Sequence, residues 1–436
     1  MNVTGIIAEY NPFHNGHAFH IEETRRQTDA DYCIAVMSGD FVQRGAPALL
    51  NKYDRAKMAL ENGIDLVIEL PAAAAVSSAE TFARGGVCLL DALGVVSWIS
   101  FGAELEQPSD ADLLAVLADF FACEPPAFRE QLDLALKSGC SFPSARAQAA
   151  LHCMQQTHVA SAKLPQLERL LSSPNNILAI EYEKAIRQNN ARLHPCVISR
   201  NGAGYHDTET DTALASASAL RRFFFQDLSH SSTEPENIDL LTQTLERTVP
   251  ASVGSILKEA YHTHQFLQED DFSDLLYYEL HRRAVRSTDI TLPIVGTVSD
   301  LEQRITKHLE QFTCWSDFVA DMKTKNQTYT AISRFLLHAL LGMDAATQTD
   351  MKTCHYAPYA RILGFRKESA PLLKELQLHC RIPLLRKIAR ERQTLTPAQQ
   401  RLLDLDISAA DLYNRILYTR SGIRRRSEYR EPLIIV

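Results

Sequence analysis

Two histidines, His14 and His17, bracket Asn15-Gly16 in the stretch GIIAEYNPFHNGHAFHI, residues 5–21. That combination suits the handling of phosphate. Each imidazole can donate a hydrogen bond to a phosphoryl oxygen as charge builds in a transition state. Gly16 carries no side chain, so the backbone can approach a bulky anion. If a helix begins here, its free N–H groups and the positive end of its dipole complete the cradle. A metal centre would need more ligands. No Asp, Glu or Cys stands at a spacing that completes a set around the histidines, so no metal site is expected.

Such a cradle has to sit at the end of a strand. Residues 3–9 form a short run rich in Ile and Val that reads as a buried strand, and residues 16–28 read as the helix after it. Residues 32–37, 65–70 and 98–101 read as further strands, with helices over 52–62 and 80–93 between them. The βαβαβαβ order implies a parallel sheet with right-handed crossovers, whose strands deliver their C-terminal ends to one ligand crevice. Residues 110–187 have helical patterns, 194–199 look like a fifth strand, and 216–225 like a helix following it. Beyond Asp227 the polar stretch SHSSTEPEN reads as a linker. The expected organisation is an α/β, Rossmann-like domain over residues 1–228, followed by a mostly α-helical region over 229–436.

Bulk properties narrow the partners. A net charge of −8 over 436 residues excludes a uniformly basic nucleic-acid binder, while leaving room for a local basic patch. Nine scattered cysteines with no C-x-x-C pair argue for reduced thiols and a cytoplasmic protein. The first residues read as a strand and not as a leader, and no run of about 18 apolar residues exists to span a membrane. Neither a membrane nor DNA is expected as a partner. The clearest basic cluster is C-terminal: Arg415, Arg420, Arg424, Arg425, Arg426 and Arg430, interleaved with Tyr413, Tyr418 and Tyr429. Arg386, Lys387, Arg390 and Arg392 form another group. Arginine on phosphate and tyrosine on bases suit an RNA surface, with a solvated charged face as the alternative. Gln43, Arg44, Lys52 and Arg55, after the second strand, could neutralise pyrophosphate, contact an acceptor nucleotide, or form a solvated loop and helix face.

The histidine segment resembles the H-x-G-H signature of the nucleotidyltransferase superfamily. AEYNPFHNGHAFH at 8–20, the long block at 36–71, FARG at 82–85, FGAE at 101–104, PNNILAIEY at 174–182, YHD at 205–207 and APYARILGF at 357–365 together resemble one family within it, the bacterial tRNA(Met) cytidine acetate ligases. The resemblance implies a two-step reaction. Acetate and ATP, with Mg²⁺ accompanying the nucleotide, form acetyl-adenylate and pyrophosphate. The acetyl group then passes to N4 of the wobble cytidine of elongator tRNA(Met), giving N4-acetylcytidine.

Carried over position by position, the family's ATP segment falls on Ile7, Ala8, Glu9, Tyr10, Asn11, Pro12, Phe13, His14, Asn15, Gly16, His17, Ala18, Phe19 and His20, with His14 and His17 catalytic. Its single contacts fall on Gly102, on Asn175 of the PNN triplet, and on Arg200. Either Asn175 or Asn176 could face the nucleotide, and Asn175 could instead be a plain helix cap. Ser216–Arg221 resembles the superfamily's second phosphate motif, which makes Ser218 and Arg221 candidate phosphate contacts, with a simple N-cap as the alternative. Arg424, Arg425 and Arg426 are the candidate tRNA contacts. Two other functions keep the histidines or the fold: a cofactor-type adenylyltransferase joining AMP to a phosphorylated small molecule, and a non-catalytic RNA-binding protein on a nucleotide-binding scaffold.

Overall fold

Strand β1, Val3–Ala8, lies inside the sheet because its Ile- and Val-rich face is apolar on both sides and its backbone is paired on both edges. The computed structural model describes residues 1–155, 163–200, 216–227, 235–285 and 298–436. The YHD triplet and most of the expected linker lie outside them. From the first half come helix α1 (Asn15–Thr28), β2 (Tyr32–Ser38), α2 (Lys52–Glu61), β3 (Leu66–Leu70), α3 (Ala79–Ala92), β4 (Trp98–Ala103), α4 (Pro174–Gln188), β5 (His194–Ser199) and α5 (Ala217–Arg222). Strands β1 to β5 are parallel neighbours in the order β3-β2-β1-β4-β5.

The direction of travel reverses at β1, which has β2 on one side and β4 on the other. That is the switch point where an open sheet of this kind leaves a crevice. Burial on both faces explains the unbroken apolar strands. In β2, Cys33, Ala35 and Met37 enter one apolar layer, and Ile34 and Val36 the other.

The expected helix over 216–225 divides in two: α5 ends at Arg222, and Phe223–Asp227 winds as a π-helix. The region beyond residue 229 is mostly helical, as expected, but it also extends the sheet. Strand β6 (Ala360–Phe365) runs antiparallel to β3. Both β7 (Leu384–Leu385) and β8 (Ile434–Ile435) pair with β6 in parallel. Between them the long helix α6, Pro397–Ser421, opens with a Thr396–Gln399 capping box and closes on Gly422 at φ 73°. The last segment of the chain therefore returns to the sheet of the first half. No helix among the described residues is long and apolar enough to cross a membrane, and all nine cysteines are free.

Candidate active site

The chain leaves β1 through Tyr10, whose φ of 46° turns it sharply, and enters α1 at His14. Tyr10 and Phe13 are buried beneath the loop, and the Asn11 side chain accepts from Leu49 N–H at 2.7 Å. The Asn11-Pro12 peptide is cis. Asn15 points out and donates to Arg247 O at 2.9 Å. His14 is the N-cap. Its Nδ1 accepts from Gly16 N–H at 3.0 Å, and His17 Nδ1 accepts in turn from His14 N–H at 3.3 Å. The rings stack with centroids 3.8 Å apart.

This reciprocal cap decides the tautomers. A neutral imidazole that accepts at Nδ1 carries its proton on Nε2. The rings are neutral: burial first, and the Arg200 guanidinium second, push His14 down to about 3. Burial, then His14 and Arg200, hold His17 well below its usual value. Two Nε2–H donors are thus set side by side at a helix N-terminus. His20, pushed down to about 4 by burial and Arg200, shares a 3.0 Å hydrogen bond with Ser100 Oγ.

His14, Gly16, His17, Phe19, His20, Gly102, Ile198, Ser199 and Arg200 line one open crevice. Gly102 belongs to β4 and Arg200 follows β5, so adjacent strand ends converge on the histidines. A Cβ at Gly102 would lie 3.2 Å from Arg200 Cγ, which makes glycine the residue that lets Arg200 lie across the strand.

The two asparagines separate clearly. Asn176, 1% exposed, accepts from Glu104 N–H and donates to Glu104 O, so its amide is consumed. Asn175 Oδ1 accepts from Arg200 Nη1 at 3.4 Å at the crevice rim, and its Nδ2 donates to Glu104 at 2.7 Å. It is not the helix cap; Ser173 holds that position.

Arg221 reaches back to the loop between β1 and α1, donating to Asn11 O at 2.5 Å and to Ser218 Oγ at 3.3 Å. Ser216, not Ser218, caps α5. Lys52 and Arg55 do not form a solvated face and do not line the crevice. Lys52 is fully buried among Glu69 at 2.8 Å, Glu428 at 2.7 Å and Asp40 at 3.7 Å. Arg55 is spent on backbone carbonyls, among them Glu9 O at 2.6 Å and Leu50 O at 2.9 Å.

In the tail, Arg424 and Arg426 are exposed, and Arg424 lies over the Tyr418 ring with 5.0 Å to its centroid. Arg425 is half-buried and paired with Asp54. Tyr413 is buried, donating to Ala48 O at 2.9 Å, and offers no stacking face. Glu428, acidic in a basic run, was the residue whose role the sequence concealed: it is 3% exposed and bonds Lys52 and Arg361.

Residues 1–428 match the family described as HIGH Nucleotidyl Transferase. A tRNA(Met) cytidine acetate ligase of Clostridium perfringens is 35% identical over 98% of each chain. One of Clostridium kluyveri is 36% identical over 100% of this chain and 99% of its own. The crystal structure of Thermotoga maritima TmcAL bound with alpha-thio ATP superposes over 100% of both chains with a TM-score of 0.84 at 27% identity. With its histidine pair capping α1 at the switch point and this likeness running end to end, the chain belongs to the tRNA(Met) cytidine acetate ligase family of H-x-G-H nucleotidyltransferases.

Proposed function

We propose that this enzyme activates acetate with ATP and transfers the acetyl group to N4 of the wobble cytidine of elongator tRNA(Met). The observation that carries the reading is the pair of Nε2–H donors, locked by the His14–His17 cap beside Gly102 and Arg200. In the first step an acetate oxygen attacks the α-phosphorus, the bond to the β-phosphate oxygen breaks, and pyrophosphate leaves. No general base is needed, because acetate is ionised at neutral pH. Catalysis is positioning plus charge stabilisation by the two imidazoles, the positive end of the α1 dipole and Arg200. In the second step the cytidine N4 attacks the carbonyl carbon, the bond to the adenylate oxygen breaks, AMP departs and N4 loses a proton. The cytidine must be splayed out to reach the adenylate.

Mg²⁺ carried on the ATP phosphates with its own waters would add positive charge there. Residues 1–228 supply the ATP and acetate site and 229–436 the tRNA-binding region, with Arg424 and Arg426 as its exposed tail contacts and a cytoplasmic setting that matches its substrate. Mass analysis of nucleosides from elongator tRNA(Met), after incubation with ATP, acetate and the protein, tests this. N4-acetylcytidine at the wobble position is expected. Unmodified cytidine under conditions where acetate drives pyrophosphate exchange would overturn the tRNA half of the reading.

A further inference from the structure

Most half-buried arginines of this chain face a carboxylate: Arg25 faces Asp65, Arg146 faces Glu181, and Arg169 faces Asp110. Two beside the catalytic loop do not. Arg334, on the helix Tyr329–Leu341, makes one hydrogen bond among the described residues, from Nη1 to Gln43 O at 3.3 Å. Burial lowers it to about 10 with no anion offsetting the effect. Among the described residues Arg221 bonds Asn11 O and Ser218 Oγ. Arg44, next to Gln43, is exposed and forms no ion pair among the described residues, and its charge acts on Arg221.

Fixed backbone holds Arg44 beside Arg334. The turn through Gly45, at φ 82°, packs so closely on the helix Tyr329–Leu341 that a Cβ there would lie 2.3 Å from Arg334 N. Ser333 Oγ donates to Gly45 O at 2.8 Å. Two carboxylates stand nearby, Glu9, which accepts from Gln43 N–H at 2.8 Å, and Glu269. Guanidiniums held partly out of water without a full complement of anions are costly until an anion arrives, and their planar fork matches phosphate.

We propose that Arg44, Arg221 and Arg334 form a phosphate-binding edge that grips the tRNA backbone beside the acceptor cytidine. The inference rests on tRNA being the second substrate. Two observations favour a polynucleotide over the pyrophosphate of ATP. None of the three lines the histidine crevice, where the charge felt by His14, His17 and His20 is that of Arg200. The turn Glu269–Phe272, whose first residue lies by Arg221, is tied at Asp271 to Arg420 in the basic tail. Arg415 and Arg424 flank Tyr418 on the same helix end. The basic tail is thus joined through this one short turn to the side of the loop where Arg221 lies, a separation that a run of phosphates can span.

The full-length protein carrying Arg44→Ala, Arg44→Lys or Arg334→Met is compared with wild type. Binding of elongator tRNA(Met) is measured from about 50 to 200 mM salt, and acetate-dependent pyrophosphate exchange in parallel. Arg44→Ala and Arg334→Met should each lower the slope of log K against log salt by about 1. The KM for tRNA should rise several-fold, exchange should stay within about threefold of wild type, and Arg44→Lys should restore the slope. An unchanged slope overturns the proposal. So does loss of exchange with tRNA binding intact, which would assign these arginines to pyrophosphate. Wild-type protein that binds no tRNA would overturn the substrate reading itself, and the inference with it.

Discussion

Replacing His14 by Asn separates its two roles. The Nδ1 atom caps α1 through Gly16 N–H at 3.0 Å, while Nε2, on the far side of the ring, is the donor proposed for the reacting phosphate. Asparagine is a strong N-cap, and its carbonyl oxygen can take the place of Nδ1, but its short amide cannot reach the position of Nε2. The cap is worth about 0.5–2 kcal/mol. The distal donor is worth about 2.7–4 kcal/mol in the transition state, a factor of about 10²–10³ in rate. Acetate-dependent exchange of labelled pyrophosphate into ATP should therefore fall by about 10²–10³ in His14→Asn, with Tm close to wild type. His14→Ala should lose the same rate and also the cap, dropping Tm by no more than about 4 °C. Near wild-type exchange in His14→Asn, or a rate that follows Tm across the two variants, would refute the division of labour.

Gly102→Ala should raise the KM for ATP several-fold with little change in Tm, because its Cβ would press Arg200 at 3.2 Å; an unaltered KM would show that Arg200 does not contact the nucleotide. Lys52→Met leaves Glu69 and Glu428 on Arg361 and Asp40 without an ion pair among the described residues, and should cost about 3–5 kcal/mol in denaturant unfolding. Arg424→Ala with Arg426→Ala, leaving Arg425 on Asp54, should weaken tRNA binding and flatten its salt dependence while pyrophosphate exchange survives. The free enzyme's first step should show no histidine limb between about pH 5.5 and 8, since the donor form is already neutral. Because folding lowers His14 to about 3 and His20 to about 4, the stability tied to their neutrality is full above the unfolded value near 6.5. It is lost as pH falls from there through those folded values, which chemical denaturation at each pH would read out.

The site was legible where neighbours in space are ends of consecutive strands. His14 follows β1, Gly102 lies in β4 and Arg200 follows β5, so the alternation of apolar runs was enough to bring them together. The choice between Asn175 and Asn176 was not legible. It depends on which amide the backbone of Glu104 consumes, a contact made about 70 residues away. Lys52 and Arg55 misled for the same reason. In NKYDRAK they look like a solvated helix face, and what buries them is Glu69, Glu428 and the carbonyls of the loops at 9 and 39. Strand β6 was hidden among helices, because its partner β3 precedes it by about 300 residues and six residues leave little periodicity to read. Tyr413 sat in an arginine-tyrosine pattern that suggested stacking on RNA, yet it faces inward on α6 toward Ala48.

The central claim is that acetate itself attacks the α-phosphate of ATP in the histidine crevice. Acetate labelled with ¹⁸O, supplied with unlabelled ATP and elongator tRNA(Met), tests it in one reaction. Passage through acetyl-adenylate leaves one labelled oxygen in each AMP released, alongside N4-acetylcytidine in the tRNA. Unlabelled AMP, or orthophosphate released in place of pyrophosphate, would contradict it.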